Sequence, residues 1–225
     1  MTTKAIAQSP VYPVLESPGG QWTNIGDMAI ALQFDSADVE ADAARDLALC
    51  DASAMPKLGI KGPSAIEWLQ SRGVAIPANI YDTDSLADGG RIARLDTNEF
   101  LLESGVAAET VPALSEQLGA GHDGVVRVER QEATLLLSGT RATNVFAQTC
   151  GVDMRVVQAG RVILTRIAGA SCSIVLWHHN DTPVYQVSID STYALYAWDT
   201  LLEICTELGG RVIGAAAILE GLTAA

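Results

Sequence analysis

Two periodicities take turns along the chain. From Lys57 to Lys61 apolar and polar residues alternate, the period of a strand with one buried face, and the run ends at Gly62-Pro63. From Ser64 the spacing becomes helical, with Trp68 and Leu69 inward and Glu67 three residues after Ser64, the spacing of a capping box. The same unit returns later: Thr134 to Ser138 reads as a strand, Gly139 as its turn, and Thr140 opens a helix with Ala142, Val145 and Phe146 inward. Gly62 thus matches Gly139, and Ala65 matches Ala142. A hairpin pattern follows each unit. The first runs from Arg91 to Leu95 and from Glu99 to Glu103 around Asp96-Thr97-Asn98. The second runs from Arg161 to Ile167, Ser171 to Trp177 and Val184 to Ile189, with turns at residues 168–170 and 179–182. Each half then closes with a helix, at 107–118 and 191–208. In the second, Leu195, Trp198, Leu202 and Cys205 form one stripe, and Gly209-Gly210 is the stop.

Upstream, residues 36–49 read as one acidic, Ala-rich helix, with Ser36 as N-cap and Val39, Ala43, Leu47 and Ala48 on its apolar face. Residues 1–20 hold three prolines and end in Gly19-Gly20, which predicts an extended arm. The fold class is therefore α+β. An arm over 1–20 precedes a domain over 21–225, made of two pseudo-repeated strand–Gly–helix–hairpin–helix units at about 45–120 and 124–210. Their sheets are expected to be covered by helices on one side.

Composition narrows the function. The chain has 225 residues, 48% of them hydrophobic, enough to bury a substantial core, so intrinsic disorder is excluded. Fourteen basic residues stand against 27 acidic ones, a net charge of −13, and no basic run is interleaved with aromatics. Such a surface repels phosphates, which argues against nucleic acid and anionic membranes as partners. Residues 1–20 lack the apolar core of a signal peptide, and no apolar run reaches 18 residues, so a cytoplasmic location is expected. Cys50, Cys150, Cys172 and Cys205 have no metal-ligand spacing and are expected to be small core hydrophobes.

Candidate chemistry is sparse. His178-His179 with Asp181 is the one cluster with ligand chemistry, but adjacent strand residues point to opposite faces, so a turn pair is expected and no metal site. Dinucleotide, P-loop and α/β-hydrolase motifs are missing. Ser53 and Ser138 read as turn or strand-end serines, and Asp82 with Asp84 as a solvated acidic loop. Trp177, Tyr185, Tyr193, Tyr196 and Trp198 gather late in the chain. Ring packing under the last helix explains most of them, yet Tyr196 and Trp198 lie about 200° apart on a helix. One face could therefore meet a partner, which makes Tyr193, Tyr196 and Trp198 interface candidates; one of His178 and His179 could also face an interface, where a neutral imidazole both donates and accepts.

Residues 49–65 (Leu49-Cys50-Asp51-Ala52-Ser53-Ala54-Met55-Pro56 through Gly62-Pro63-Ser64-Ala65) resemble the entry segment of the aminomethyltransferase (glycine-cleavage T-protein) superfamily. Gly90 to Leu95 with Asn98 to Glu103, Glu132 to Met154, and Val184 to Ser188 through Tyr193, Trp198 and Leu202 resemble one branch, the gamma subunit family of heterotetrameric sarcosine oxidase. The resemblance covers roughly residues 45–210. It departs where the family keeps its chemistry. Ala54 stands where the family has His, Gly89-Gly90 runs straight into Arg91 without the acidic pair that orients tetrahydrofolate, and Glu103-Ser104-Gly105 replaces a strand-ending Asn. The resemblance implies a non-catalytic gamma-type subunit of a heteromeric sarcosine oxidase or N-methyl amino acid dehydrogenase. Such a subunit packs on a large, alpha-type, folate-binding subunit, with FAD, FMN, NAD and tetrahydrofolate on the partner chains. The alternative is a free-standing tetrahydrofolate-dependent one-carbon transferase or demethylase, for which Asp51, Glu99 and Glu103 are the candidate folate-site carboxylates. A folate-linked assembly protein is a third reading, and its Lys-Gly-Cys-rich signature is absent.

Overall fold

A computed structural model describes residues 7–16, 19–105, 109–219 and 221–222. The chain divides into two compact units, 1–54, 132–159 and 163–225 forming the first and 55–131 with 160–162 the second. The first unit opens with α1 (Tyr12–Leu15), β1 (Gln21–Ile25), β2 (Met28–Gln33), α2 (Ala37–Asp46) and β3 (Ala48–Asp51). The second holds β4 (Lys57–Lys61), α3 (Ala65–Gln70), β5 (Thr83–Ser85), β6 (Arg91–Asp96), β7 (Glu99–Glu103), α4 (Thr110–Leu118), β8 (Gly121–His122) and β9 (Val125–Val128). The chain then returns to the first unit for β10 (Ala133–Ser138), α5 (Ala142–Thr149), β11 (Val162–Ile167), β12 (Ala170–His179), β13 (Thr182–Ile189), α6 (Ala194–Glu207) and β14 (Arg211–Val212).

The two large sheets have matching orders. The second unit's runs β5-β6-β7-β4-β9-β8 and the first unit's β11-β12-β13-β10-β3-β14. In each, the strand that leads through glycine into a helix (β4 or β10) lies between the hairpin strand and one further antiparallel neighbour. That neighbour comes from the other end of the chain's plan. β3 immediately precedes β4 but pairs with β10, and β9 immediately precedes β10 but pairs with β4. The α+β class and the repeated unit are thus borne out, with a strand traded at each crossing.

The matched glycines explain the shared geometry. Gly62 and Gly139 have φ of 139° and 103°, and a Cβ on either would come within 2.2 Å of a backbone oxygen, Gly124 O and Asp46 O respectively. Neither position tolerates a side chain. The surrounding bonds repeat as well. Gly62 N donates to Asn98 O at 3.0 Å and Gly139 N to Pro183 O at 2.9 Å. Ser64 N donates to Gly124 O at 3.0 Å and Arg141 N to Asp46 O at 3.1 Å.

Helices cover one face of each sheet. In the first unit Phe146 of α5 and Trp198 and Leu201 of α6 pack on Leu135, Leu137, Tyr185 and Val187, with Phe146 edge-on to Tyr185 at 5.0 Å. In the second, Trp68 and Leu69 of α3 and Val111, Leu114 and Leu118 of α4 pack on Leu58, Ile60, Phe100 and Leu102. Each such fully buried side chain contributes roughly 2 kcal/mol.

Several sequence expectations are corrected. The helix expected over 36–49 ends at Asp46, because residues 48–51 are needed as the antiparallel neighbour of β10. Its buried face carries Glu40 and Ala44, while Val39 is exposed. The Glu40 carboxylate is buried because it accepts the amides of Phe34 (2.7 Å), Asp35 (3.0 Å) and Gly214 (3.1 Å), donors that would otherwise be orphaned. Ser64 forms no capping bond through its side chain, since its corner is held by backbone bonds instead. The α6 stripe is Ala194, Ala197, Trp198, Leu201 and Cys205, which leaves Leu195 exposed. Of the arm expected over 1–20, residues 1–6 and 17–18 lie outside the described residues. The rest is not simply extended: Tyr12–Leu15 is a helical turn whose neighbour Val11 and whose Leu15 join the first core. The helix expected from 107 is seen from Thr110, and residues 106–108 lie outside the described residues.

Gly139→Ala is expected to destabilise the protein by roughly 3 kcal/mol, since it meets both a disfavoured φ and a backbone clash. Gly151→Ala, with open space at its Cβ, should be close to neutral. Urea midpoints of the two variants test this, and equal midpoints would refute the corner's role.

Candidate functional site

The candidate carboxylates fall in two places. Asp51 ends β3 and is buried, where it accepts Ser53 Oγ at 2.6 Å and Ser53 N at 3.0 Å. Ser53 Oγ in turn accepts Thr134 N at 3.1 Å, and Ala52 N donates to Thr134 O at 2.8 Å. Asp51-Ala52-Ser53 is therefore an Asx-type corner that ties the end of β3 to the start of β10. The structure gives Ser53 this structural bond pattern, in keeping with its reading as a turn residue.

Glu99 and Glu103 belong to the second unit. On β7 they alternate with Phe100 and Leu102, which are fully buried, so they share the face opposite the core. Four residues of strand separate them by about 13 Å, too far to act on one atom. Each Glu99 oxygen has its own cation, Lys61 Nζ at 2.9 Å and Arg130 Nη2 at 3.0 Å. The hydrogen bond that Lys61 donates to Glu99 raises the ammonium's pKa. Glu103 sits in register between Lys57 of β4 and Arg91 of β6. Burial lowers the pKa of Arg91, and the Glu103 charge opposes that shift. Within the second unit, Glu99 and Glu103 therefore do not meet at a common point.

His178 and His179 lie at the end of β12, opposite Pro183 and Thr182, and the turn between them and β13 is Asn180-Asp181 with φ of 46° and 65°. Both values being positive, this is the turn that suits a tight hairpin. His178 is exposed, while His179 Nε2 lies 3.2 Å from Asn180 Nδ2. Among the described residues no group of three His, Cys, Asp or Glu could hold a metal.

The aromatic candidates divide. Trp198 is 1% exposed and sits in the first core, so its candidacy as an interface residue is corrected: the helix turns it onto the sheet. Tyr193 and Tyr196 are each 53% exposed. Tyr196 is anchored by its hydroxyl, which donates to Ala168 O at 3.0 Å, and Leu195, Asp199 and Glu203 are exposed beside it.

Cys50, Cys172 and Cys205 are buried and Cys150 half-buried, all as free thiols. Burial pushes the Cys50 thiol well above its ordinary range, Cys172 up to about 12 and Cys205 up to about 11. These three are thereby held as thiols at neutral pH.

Sequence reasoning missed two polar features. One is the buried Glu40. The other is a groove on the outer face of β11, β12 and β13, whose only signal was the alternation of Ser171 and Ser173 with the core-facing Cys172 and Ile174.

The profile of the GCVT N-terminal domain family matches residues 11–220. Over 224 residues the chain is 22% identical to the aminomethyltransferase of Alkaliphilus metalliredigens (strain QYMF), covering 92% of this chain and 60% of that protein. The chain therefore spans about 60% of the length of that curated relative. Among solved structures, the glycine cleavage system aminomethyltransferase T from Bartonella henselae superposes with a TM-score of 0.74 at 17% identity, over 94% of this chain and 60% of that one. A chain of the heterotetrameric sarcosine oxidase from Corynebacterium sp. U-96, in complex with pyrrole 2-carboxylate, gives a TM-score of 0.60 at 19% identity, over 77% of this chain and 93% of that one. These likenesses establish the fold. No helix among the described residues is long and apolar enough to cross a membrane.

At pH 8 a thiol-reactive disulfide reagent is expected to modify at most Cys150 quickly, with all four thiols released only on unfolding. Rapid release of two or more from the folded chain would contradict the burial described.

Proposed function

The chain belongs to the GCVT N-terminal domain family, and on that premise we propose that it is the small, gamma-type subunit of a heteromeric sarcosine oxidase or a related N-methyl amino acid dehydrogenase. The observation that carries this reading is the engagement of the candidate carboxylates. Asp51 holds a corner, Glu99 holds two cations, and Glu103 stands between two more in register. A one-carbon transferase needs a carboxylate or equivalent group placed on the reacting nitrogen, and these are placed on the protein's own cations and amides instead. The near end-to-end match to one chain of a sarcosine oxidase tetramer, 93% of that chain, supports the same reading.

In this role the chain contributes surface. Its large-subunit partner would carry the folate-binding domain, and the partner chains together FAD, FMN, NAD and tetrahydrofolate. Tyr193 and Tyr196 are the anchors best suited to such a contact. Both are large and exposed, Tyr193 as the N-cap of α6 and Tyr196 on the helix itself, whose opposite face is core, and Tyr196 is pinned by a hydrogen bond, so little of its side-chain entropy is lost on docking. A cytoplasmic location accords with this role.

Titration of tetrahydrofolate into the purified chain, followed by tryptophan fluorescence and calorimetry, is expected to show no saturation. Saturable binding near micromolar, about −8 kcal/mol, would overturn the reading in favour of a folate-dependent transferase. With the large subunit co-expressed, the Tyr193→Ala and Tyr196→Ala double variant should weaken assembly about tenfold or more while lowering the thermal midpoint of the isolated chain by no more than about 4 °C, the cost of the Tyr196 hydrogen bond. Assembly at wild-type affinity would remove these two residues from the interface.

A further inference from the structure

The outer face of β11, β12 and β13 takes no part in that proposed role. A groove of about 750 Å3 opens there, bordered by Leu164 and Arg166 of β11, Ser171 and Ser173 of β12, Ser188 of β13 and Glu132. Its floor is sheet, and so its side chains are set by strand register. Ser173 stands opposite Ser188, and Ser188 opposite Thr134 of β10, which aligns three hydroxyls across adjacent strands on one face. Neighbouring strands lie about 4.8 Å apart, so one small polar molecule can reach more than one of these hydroxyls.

Thr134, only 2% exposed, closes the inner end of the row beneath the protein surface and does not line the groove. One observation separates this groove from an ordinary polar surface. At the outer end, the exposed Arg166 makes no hydrogen bond or ion pair among the described residues, in a chain whose net charge is −13. The neighbouring arginines Arg155 and Arg161 are paired, with Asp153 and Asp82.

We propose that this groove binds a small molecule bearing a single carboxylate, such as an amino acid. The planar guanidinium of Arg166 takes the carboxylate through two parallel N–H···O bonds, and Ser173 and Ser188 bond the polar body of the molecule over the sheet. Leu164 covers an apolar portion. The charge balance selects a monoanion: there is one guanidinium, and the Glu132 carboxylate at the far side, already engaged within the protein, opposes a second negative charge. Inorganic phosphate, largely a dianion at neutral pH, is disfavoured on the same ground.

The proposal is independent of the subunit role and is tested on the purified chain by calorimetry and saturation-transfer NMR with glycine, N-methylglycine, acetate and inorganic phosphate. The carboxylates are expected to saturate and phosphate not to. Arg166→Gln should weaken the carboxylates about tenfold or more, whereas Arg155→Gln, a charge-matched change outside the groove, should not. The Ser173→Ala and Ser188→Ala double variant should weaken glycine more than acetate. Arg166 is exposed, so its variant is expected to keep the wild-type thermal midpoint. Absence of saturation by every carboxylate overturns the proposal. So do affinity unchanged in Arg166→Gln, equal loss in Arg155→Gln, and phosphate binding as tightly as glycine.

Discussion

The architecture depends on two places where the chain passes from a strand into a helix with no room for a side chain. At Gly62 and Gly139 a backbone oxygen occupies the space a Cβ would need, 2.2 Å away in both cases. The oxygen belongs to the segment that introduces the traded strand: Gly124 stands before β9, and Asp46 before β3. The corner therefore does more than turn the chain. It fixes how closely the incoming strand can approach, and that approach sets the register of β4 with β9 and of β10 with β3. The duplicated hydrogen bonds at the two corners make the internal repeat a matter of shared geometry, stronger than the few identical residues in the two halves.

The same economy governs the polar groups. In a chain with 27 acidic residues and 14 basic ones, carboxylates are abundant, yet those placed inside are spent on backbone amides and cations. Glu40 gathers three amides from the end of β2 and from the segment after β14. Asp51 holds the corner through Ser53. Groups satisfied in this way stabilise one arrangement of the backbone, because each would leave buried donors unpaired in any other. The subunit role proposed above rests on this engagement of the carboxylates within the protein.

Much of the fold was legible in the sequence because it rests on local signals. The alternation of Glu99 to Glu103, the continuous apolar run before Gly139, and the glycines that follow two strands each predict an element where one is found. What was not legible depends on partners distant in sequence. Leu47 to Leu49 continue a helical pattern, and only the need of β10 for a neighbour makes that stretch a strand. Glu40 lies on the buried side of α2 because amides from residues 34, 35 and 214 converge there, which no local window contains. Trp198 and Tyr196 look equally available as aromatic surface on a helix drawn from sequence. The observed phase of α6, set by its Ala194, Ala197 and Leu201 contacts, buries one and exposes the other. Of the candidate site, residue types were readable but their engagement was not, since the cations that hold Glu99 come from residues 61 and 130, far from it in sequence.

A sheet that is rigid for structural reasons can still leave function at its margin. On β12 the inward residues Cys172, Ile174 and Leu176 are fixed by packing against the core, and that packing also fixes where Ser171 and Ser173 point on the opposite face. The positions of the groove hydroxyls therefore follow from the core without any loop having to order around a ligand. The exposed face of α6 obeys the same logic: Ala197, Trp198 and Leu201 hold the helix, and Tyr196 is displayed by it, with Tyr193 at its N-cap. In both cases the surface group is placed by buried neighbours one or a few residues away. A change to the surface residue alone is then expected to alter binding while sparing the fold. A change to its buried neighbour alters both, and that contrast distinguishes a displayed residue from a structural one.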